Sequence, residues 1–257
     1  MREFNSIWVA TVPRTGSMWT TNVIREIFSF KKFKILPETQ KISDEEWLNY
    51  YKSNILFDEN VSNKYVLKIH SKLTKIPPRS KIVTSIRNPY DLCASYHQFM
   101  KCNLDESIKL AESIAAFLDH YKNLSSEILI VKYEEIENQP EQLIKALALY
   151  CELALSDYEI GQISKKFTKE EVKKIIDKND FEAKQNDKFG NDKFKVLQLV
   201  DGNTRSYDLK TGFQTGHISN RKTGEWRKIF STKEIKIIIE KLDIIAVELG
   251  YSSEKKT

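Results

Sequence analysis

Lys68 and His70 stand at alternate positions in the run Leu67 to His70, which reads as the end of a β-strand, so both side chains leave the same face. An imidazole with a pKa near neutrality is the natural base for a hydroxyl, and an ammonium beside it can meet negative charge as that charge develops. A second group of residues suits anions. Pro13, Arg14, Thr15, Gly16, Ser17, Met18 and Trp19 lie where a strand gives way to a helix, and a helix N-terminus offers unpaired N–H groups at the positive end of its dipole. Gly16 lets the backbone come close to a phosphate. Thr15 and Ser17 add hydroxyl donors and Arg14 adds charge. The third group is Arg87 and Ser95, eight residues apart, the first closing a strand and the second inside the following helix. A guanidinium and a hydroxyl together suit a dianionic phosphate. Glu38 and His217 are competing bases. Plainer readings stay open for each: the Gly16 turn as a strand end before a capped helix, Arg87 as a partner for Asp91, Trp19 as a core residue. The mononucleotide loop GxxxxGK[ST] is absent, since position 11 is Thr and Ser17 follows Gly16, which disfavours an ordinary ATPase.

The elements that must position these residues alternate between strand and helix patterns. Residues 6–12 are apolar and β-branched, and 17–30 has helical spacing. Residues 65–70 and 81–87 read as strands, and 89–100 as a helix with Pro89 in its first turn, where a missing N–H is harmless. Residues 127–133 read as a strand bracketed by helices, 140–155 and 169–178 as helices, and 232–249 as a closing helix ended by Gly250. Strands separated by helix-length segments predict a three-layer α/β/α fold around a central, mainly parallel sheet. Residues 180–215 are polar, hold three of the eight glycines and lack sustained periodicity. They are expected to form an irregular insertion near the acceptor side of the site. One domain over residues 1–257 is expected.

Several motifs, in order, resemble those of the cytosolic-type sulfotransferase family, which uses PAPS (3'-phosphoadenosine 5'-phosphosulfate). PRTGSMW from Pro13 resembles the family's 5'-phosphosulfate loop PKSGTTW. The segment Ile86 to Ser95 resembles its 3'-phosphate motif, with Arg87 and Ser95 at the family's spacing. Lys68 and His70 resemble its catalytic KTH segment, Tyr133 and Glu134 its YE step, and Arg221 to Trp226 its late element RKGxxGDW. The resemblance implies a P-loop NTPase-like fold and sulfuryl transfer from PAPS, leaving PAP (adenosine 3',5'-bisphosphate), with His70 as base and Lys68 and Arg14 stabilising the leaving phosphate. It implies that Trp19 stacks on adenine, that Tyr133 hydrogen-bonds the nucleotide, and that Arg221 and Lys222 reach the 3'-phosphate. No metal is implied. Two positions depart from the family pattern: Arg14 stands where the family has lysine, and the late element is shorter, so that an ungapped alignment puts Ser219 and Asn220 at its basic pair. Glu38 retains a loose similarity to the glutamate base of heparan-type relatives.

Composition narrows the alternatives. The chain has 257 residues, 40% hydrophobic and 30% charged, with 41 Lys+Arg against 36 Asp+Glu, a diffuse charge that does not suggest nucleic acid. Three cysteines without CxxC spacing and the lack of a long apolar run lead to the expectation of a reduced, cytoplasmic protein without a membrane span. The acceptor is expected to be a hydroxyl, or an amine, of a small molecule or glycan, and a homodimer stays open. The rival readings are a P-loop small-molecule kinase using ATP with Mg²⁺, and a catalytically silent PAP-binding protein.

Overall fold

The computed structural model describes residues 4–186, 191–198, 204–219 and 221–255. Five strands form one parallel sheet: β1 (Ser6–Ala10), β2 (Lys34–Leu36), β3 (Asn63–Ile69), β4 (Ser80–Ile86) and β5 (Ile128–Lys132), in the spatial order β2-β3-β1-β4-β5. Every pairing is parallel, so each connection must cross a face of the sheet. All but one of the crossovers are helical, through α1 (Ser17–Phe30), α2 (Asp44–Tyr50), α3 (Pro89–Met100) and α4 (Leu104–Leu124), while β3 passes to β4 by a loop. Beyond β5 come α5 (Tyr133–Asn138), α6 (Pro140–Tyr150), α7 (Asp157–Lys166), α8 (Lys169–Asn186) and α9 (Thr232–Glu248).

Helices on both faces explain why β1 is buried throughout rather than on alternate positions. Its side chains divide by the period of two. Trp8 and Ala10 join Leu67 and Ile82 in a core with α3, α4 and α9, whereas Ile7 and Val9 join Val66 and Val83 in a second core with α1, α6 and α7. The three-layer expectation is met, and the strand bounds read from sequence fall within a few residues of those observed, whereas the helix read over 140–155 ends at Tyr150 and the one read over 169–178 runs on to Asn186.

Residues 180–215 require a correction. They are not irregular: α8 continues to Asn186, and β6 (Phe194–Gln198) pairs antiparallel with β7 (Thr204–Asp208). Residues 187–190 and 199–203 of this stretch lie outside the described residues. A two-stranded hairpin with only a few covered positions, Phe194, Ser206 and Tyr207, leaves little hydrophobic alternation to read. Polar bonds dock it instead. Asn179 Nδ2 donates to Asp208 Oδ2 at 3.0 Å, and the hydroxyls of Ser206 and Thr215 both donate to Asp180 Oδ1 at 2.5 Å.

Trp226, from the late element, is buried and stacks on Tyr90 with ring centroids 5.0 Å apart, while the Tyr90 hydroxyl donates to Asp243 of α9 at 2.7 Å. This ring fastens the late element to α3 and α9. Trp226→Ala should therefore destabilise the fold by about 3–5 kcal/mol, measured as a lower midpoint of urea unfolding at an unchanged m value.

Candidate functional site

The C-terminal ends of β1, β3 and β4 open on a cavity of about 460 Å³. β1 sits between β3 on one side and β4 on the other, and a crevice at such a point is where open parallel sheets bind ligands. The turn after β1 is built by two left-handed residues, Arg14 at φ +71° and Gly16 at φ +92°. No side chain caps α1, and Gly16, Ser17 and Met18 line the cavity, so the helix presents its N-terminus there. Thr15 does not contribute its hydroxyl to the cavity: it is fully buried, donates to the Val12 carbonyl at 2.7 Å and pairs with Ser85 Oγ at 2.6 Å. Its side chain locks the turn to β4 instead. Trp19 lines the cavity with Ile136 and Phe167 while packing in the core of α1.

Arg87, at the end of β4, reaches back across the gap. Its Nη1 donates to the Arg14 carbonyl at 2.9 Å, and its guanidinium lies 3.7 Å from the centre of the Tyr133 ring. Its Nε is buried with no hydrogen-bond partner among the described residues. Arg14 points the other way. Its Nε donates to Ser95 Oγ at 3.2 Å, its Nη2 to the His217 carbonyl at 3.2 Å, and its guanidinium lies 4.1 Å from the Phe99 ring centre. Ser95 lines a neighbouring cavity of about 390 Å³ that shares Arg14 as a wall. Burial first, and repulsion from Arg87 second, lower the Arg14 pKa to about 9, and the side chain stays charged at neutral pH.

The late element divides. Arg221 approaches Asp91, Nη2 to Oδ1 at 4.0 Å, and its Nε and Nη1 are buried without hydrogen-bond partners among the described residues. Asp91 also accepts from the Gly224 N–H at 2.7 Å, so it is Arg221, not Arg87, that makes the acid contact. Lys222 is exposed and lies outside the cavity lining, which corrects its expected place beside the nucleotide site. The chain turns outward there. Asn220 lies outside the described residues.

Lys68 and His70 share one face of β3 as their spacing requires, with Lys68 Nζ 3.3 Å from His70 Nε2. His70 Nδ1 lies 2.8 Å from the Thr11 carbonyl. A carbonyl only accepts, so the neutral ring carries its proton on Nδ1 and turns the Nε2 lone pair toward Lys68. Burial, then the neighbouring Lys68, lowers His70 to about 4, and burial lowers Lys68 to about 8 against the opposing pull of Asp44. His217, stacked on Phe99, is held well below its usual pKa by burial and then by Arg14, while its Nδ1 accepts from the Gln214 N–H at 3.2 Å. Glu38 is exposed and outside the cavity lining, with its carbonyl bound to Arg25 at 3.1 Å. The cavity thus holds an uncharged imidazole base and a partly desolvated ammonium facing an anion-ready helix terminus.

The family model for the sulfotransferase domain matches residues 4–240. The chain belongs to that family. Solved sulfotransferase-fold structures agree with the architecture. Mouse sulfotransferase SULT7A1 complexed with PAP is 16% identical, aligned over 97% of this chain and 88% of that one with a TM-score of 0.62. Retinol dehydratase in complex with androsterone and inactive cofactor PAP is 17% identical, aligned over 94% and 80% with a TM-score of 0.56. No curated protein matches the chain. Sequence reasoning had missed several residues of this sulfotransferase cavity, Phe99, Phe213, Gln214 and Glu137 among them. Phe99 and Glu137 had a signal, lying one helical turn beyond Ser95 on α3 and beyond Tyr133 on α5; Phe213 and Gln214 come from a segment whose approach only the tertiary fold decides.

Two stability tests follow from the geometry. Gly16→Ala should cost about 1–2 kcal/mol from the left-handed backbone, seen in thermal unfolding, and should crowd Ile136, whose Cδ1 the added methyl would meet. Lys68→Met should do the opposite. Because the folded pKa near 8 lies below the unfolded value of 10.5, the folded chain without ligand bears a penalty below pH 8 that fades as pH rises from there to the unfolded value. The substitution should stabilise it by roughly 1–3 kcal/mol at pH 7, measured by chemical denaturation, and the gain should shrink above pH 8.

Proposed function

We propose that this chain transfers the sulfuryl group of PAPS to a hydroxyl of a small-molecule or glycan acceptor, with His70 as general base. The observation that carries the reading is the hydrogen bond from Arg87 to the Arg14 carbonyl. It draws the turn suited to a 5'-phosphosulfate and the arginine suited to a 3'-phosphate onto one cavity, which is what a doubly phosphorylated adenosine requires and a plain ATP site does not. The relatives solved with PAP support the same ligand. In this reading Gly16, Ser17 and Met18 bind the 5' end through their backbone. Arg87 serves the 3' end, with Ser95 held to Arg14 at the neighbouring cavity and Arg221 beside Asp91. Trp19 and Phe167 flank adenine, and Tyr133 contacts the nucleotide.

The chemistry is an in-line displacement. His70 Nε2 takes the acceptor proton as the acceptor oxygen forms a bond to sulfur; the bond from sulfur to the bridging phosphate oxygen breaks, and PAP leaves with that electron pair. Little covalent work falls to the protein, so positioning and charge dominate, as in phosphoryl transfer. Lys68 and Arg14 meet the charge that grows on the leaving oxygen. The partly apolar wall formed by Phe99, Phe213 and Ile218 favours a small-molecule alcohol, and retinol dehydratase, solved with androsterone and with retinol, is an example of the fold accepting such ligands. The chain acts as a single domain, with the β6–β7 hairpin forming part of the acceptor side. Among the described residues no helix is long and apolar enough to cross a membrane.

Thermal shift provides the first test. PAP at a hundred times its dissociation constant should stabilise by about 2.7 kcal/mol, AMP at the same concentration should not match it, and Arg87→Ala should erase the difference. Equal shifts from PAP and AMP would sink the two-socket reading. His70→Ala should keep the PAP shift and lose roughly a hundredfold or more in kcat. The pH profile of kcat/KM reports free-enzyme groups: it should stay flat on the acid side down to about 5, because His70 remains neutral, and fall as pH rises past the Lys68 value of about 8.

A further inference from the structure

Asp44, the first residue of α2, does something no motif assigns to it. Its carboxylate accepts from the backbone N–H of His70, both oxygens at 3.0 Å, and from the N–H of Ser71 at 2.7 Å. These two amides lie just past β3, where pairing with β1 stops at Ile69 and pairing with β2 stops at Tyr65. The sheet offers them no ladder, and at the half-buried His70 an N–H shut off from water without an acceptor costs about 1–3 kcal/mol. His70 is therefore gripped twice: its main chain by Asp44 and its ring, through Nδ1, by Thr11.

Asp44 is itself held firmly. Ser43 caps α2 by accepting the Glu46 N–H at 3.2 Å, and Trp47, one turn further, is fully buried. The residues just before α2 are bonded to the hairpin. The Gln40 N–H donates to the Leu209 carbonyl at 2.6 Å, and the Tyr207 hydroxyl donates to the Lys41 carbonyl at 3.0 Å. Residues 40–44 are thus hydrogen-bonded to the β6–β7 hairpin at one end and to the backbone of His70 at the other, joined by the short run of chain between. We infer that Asp44 is a positioning residue: it fixes the His70 imidazole for proton transfer and ties that geometry to the seating of the β6–β7 hairpin. The inference rests on the sulfuryl-transfer reading with His70 as base.

Nitrogen NMR of the histidine side chains of the PAP-bound protein reads the grip directly. The wild type should show His70 as one tautomer with the proton on Nδ1. Asp44→Asn should give an averaged mixture of tautomers, and Asp44→Glu, which keeps a carboxylate, should restore the single form at least in part. With PAPS and 4-nitrophenol as probe acceptor, Asp44→Asn should lower kcat about tenfold to a hundredfold while leaving KM for PAPS within about twofold. In a His70→Ala background the same change should cost less than about twofold, because residues that act as a unit do not add. An unchanged His70 spectrum in Asp44→Asn, or an equal loss of kcat with and without His70, overturns the role. The spectrum decides it whether or not 4-nitrophenol is turned over, and PAP binding by thermal shift separately tests the reading beneath it.

Discussion

Two guanidinium groups, Arg14 and Arg87, are held beside each other at the buried edge of the sheet, with Lys68 and Arg221 nearby. Like charges in a low dielectric repel strongly, and that repulsion is part of why Arg14 binds its proton less tightly than usual. The arrangement persists because each group is pinned by a neutral acceptor or an aromatic face: Arg87 by the Arg14 carbonyl and the Tyr133 ring, Arg14 by Ser95, the His217 carbonyl and Phe99. Neutral partners leave the positive potential uncancelled. Asp91 approaches Arg221, and burial pushes it toward its protonated form.

The rest of the fold answers the need to keep those groups in place. Parallel strands buried on both faces form a rigid floor, and the hydrogen bonds of Thr15 to Val12 and Ser85 prevent the Gly16 turn from shifting on it. Desolvation then acts in opposite senses on two neighbours. It keeps His70 neutral and able to accept a proton, and it weakens the hold of Lys68 on its own proton. A single dry strand end supplies an uncharged base beside a cation that remains charged only below about pH 8.

Most of the parallel sheet was legible because buried strands and flanking helices leave strong periodic patterns, and Ser17–Phe30 and Pro89–Met100 were read with the bounds observed. What stayed hidden was short or polar. β2 has three residues at an edge and too little pattern to see, while α2 and α7 announce themselves only by the steps Ser43 to Glu46 and Ser156 to Glu159, in which a hydroxyl caps the N–H three residues on. His70 stood out because the chain has four histidines, and Arg14, Lys68 and Arg87 because their order and spacing resemble the family's motifs. The hydroxyl of Thr15 was placed at the site by residue type, and the side chain of Lys222 by its likeness to the family's late element. Backbone direction decided otherwise, turning one into the floor and the other to solvent.

The β6–β7 hairpin forms a sheet of its own, joined to the remainder by side-chain and single main-chain bonds rather than by a shared strand ladder. Insertions or substitutions within it need not alter the register of any strand that carries the anion-binding turn. The neighbouring cavity that Thr204 and Arg205 line can therefore change shape while the anion-binding turn keeps its seat on the parallel sheet.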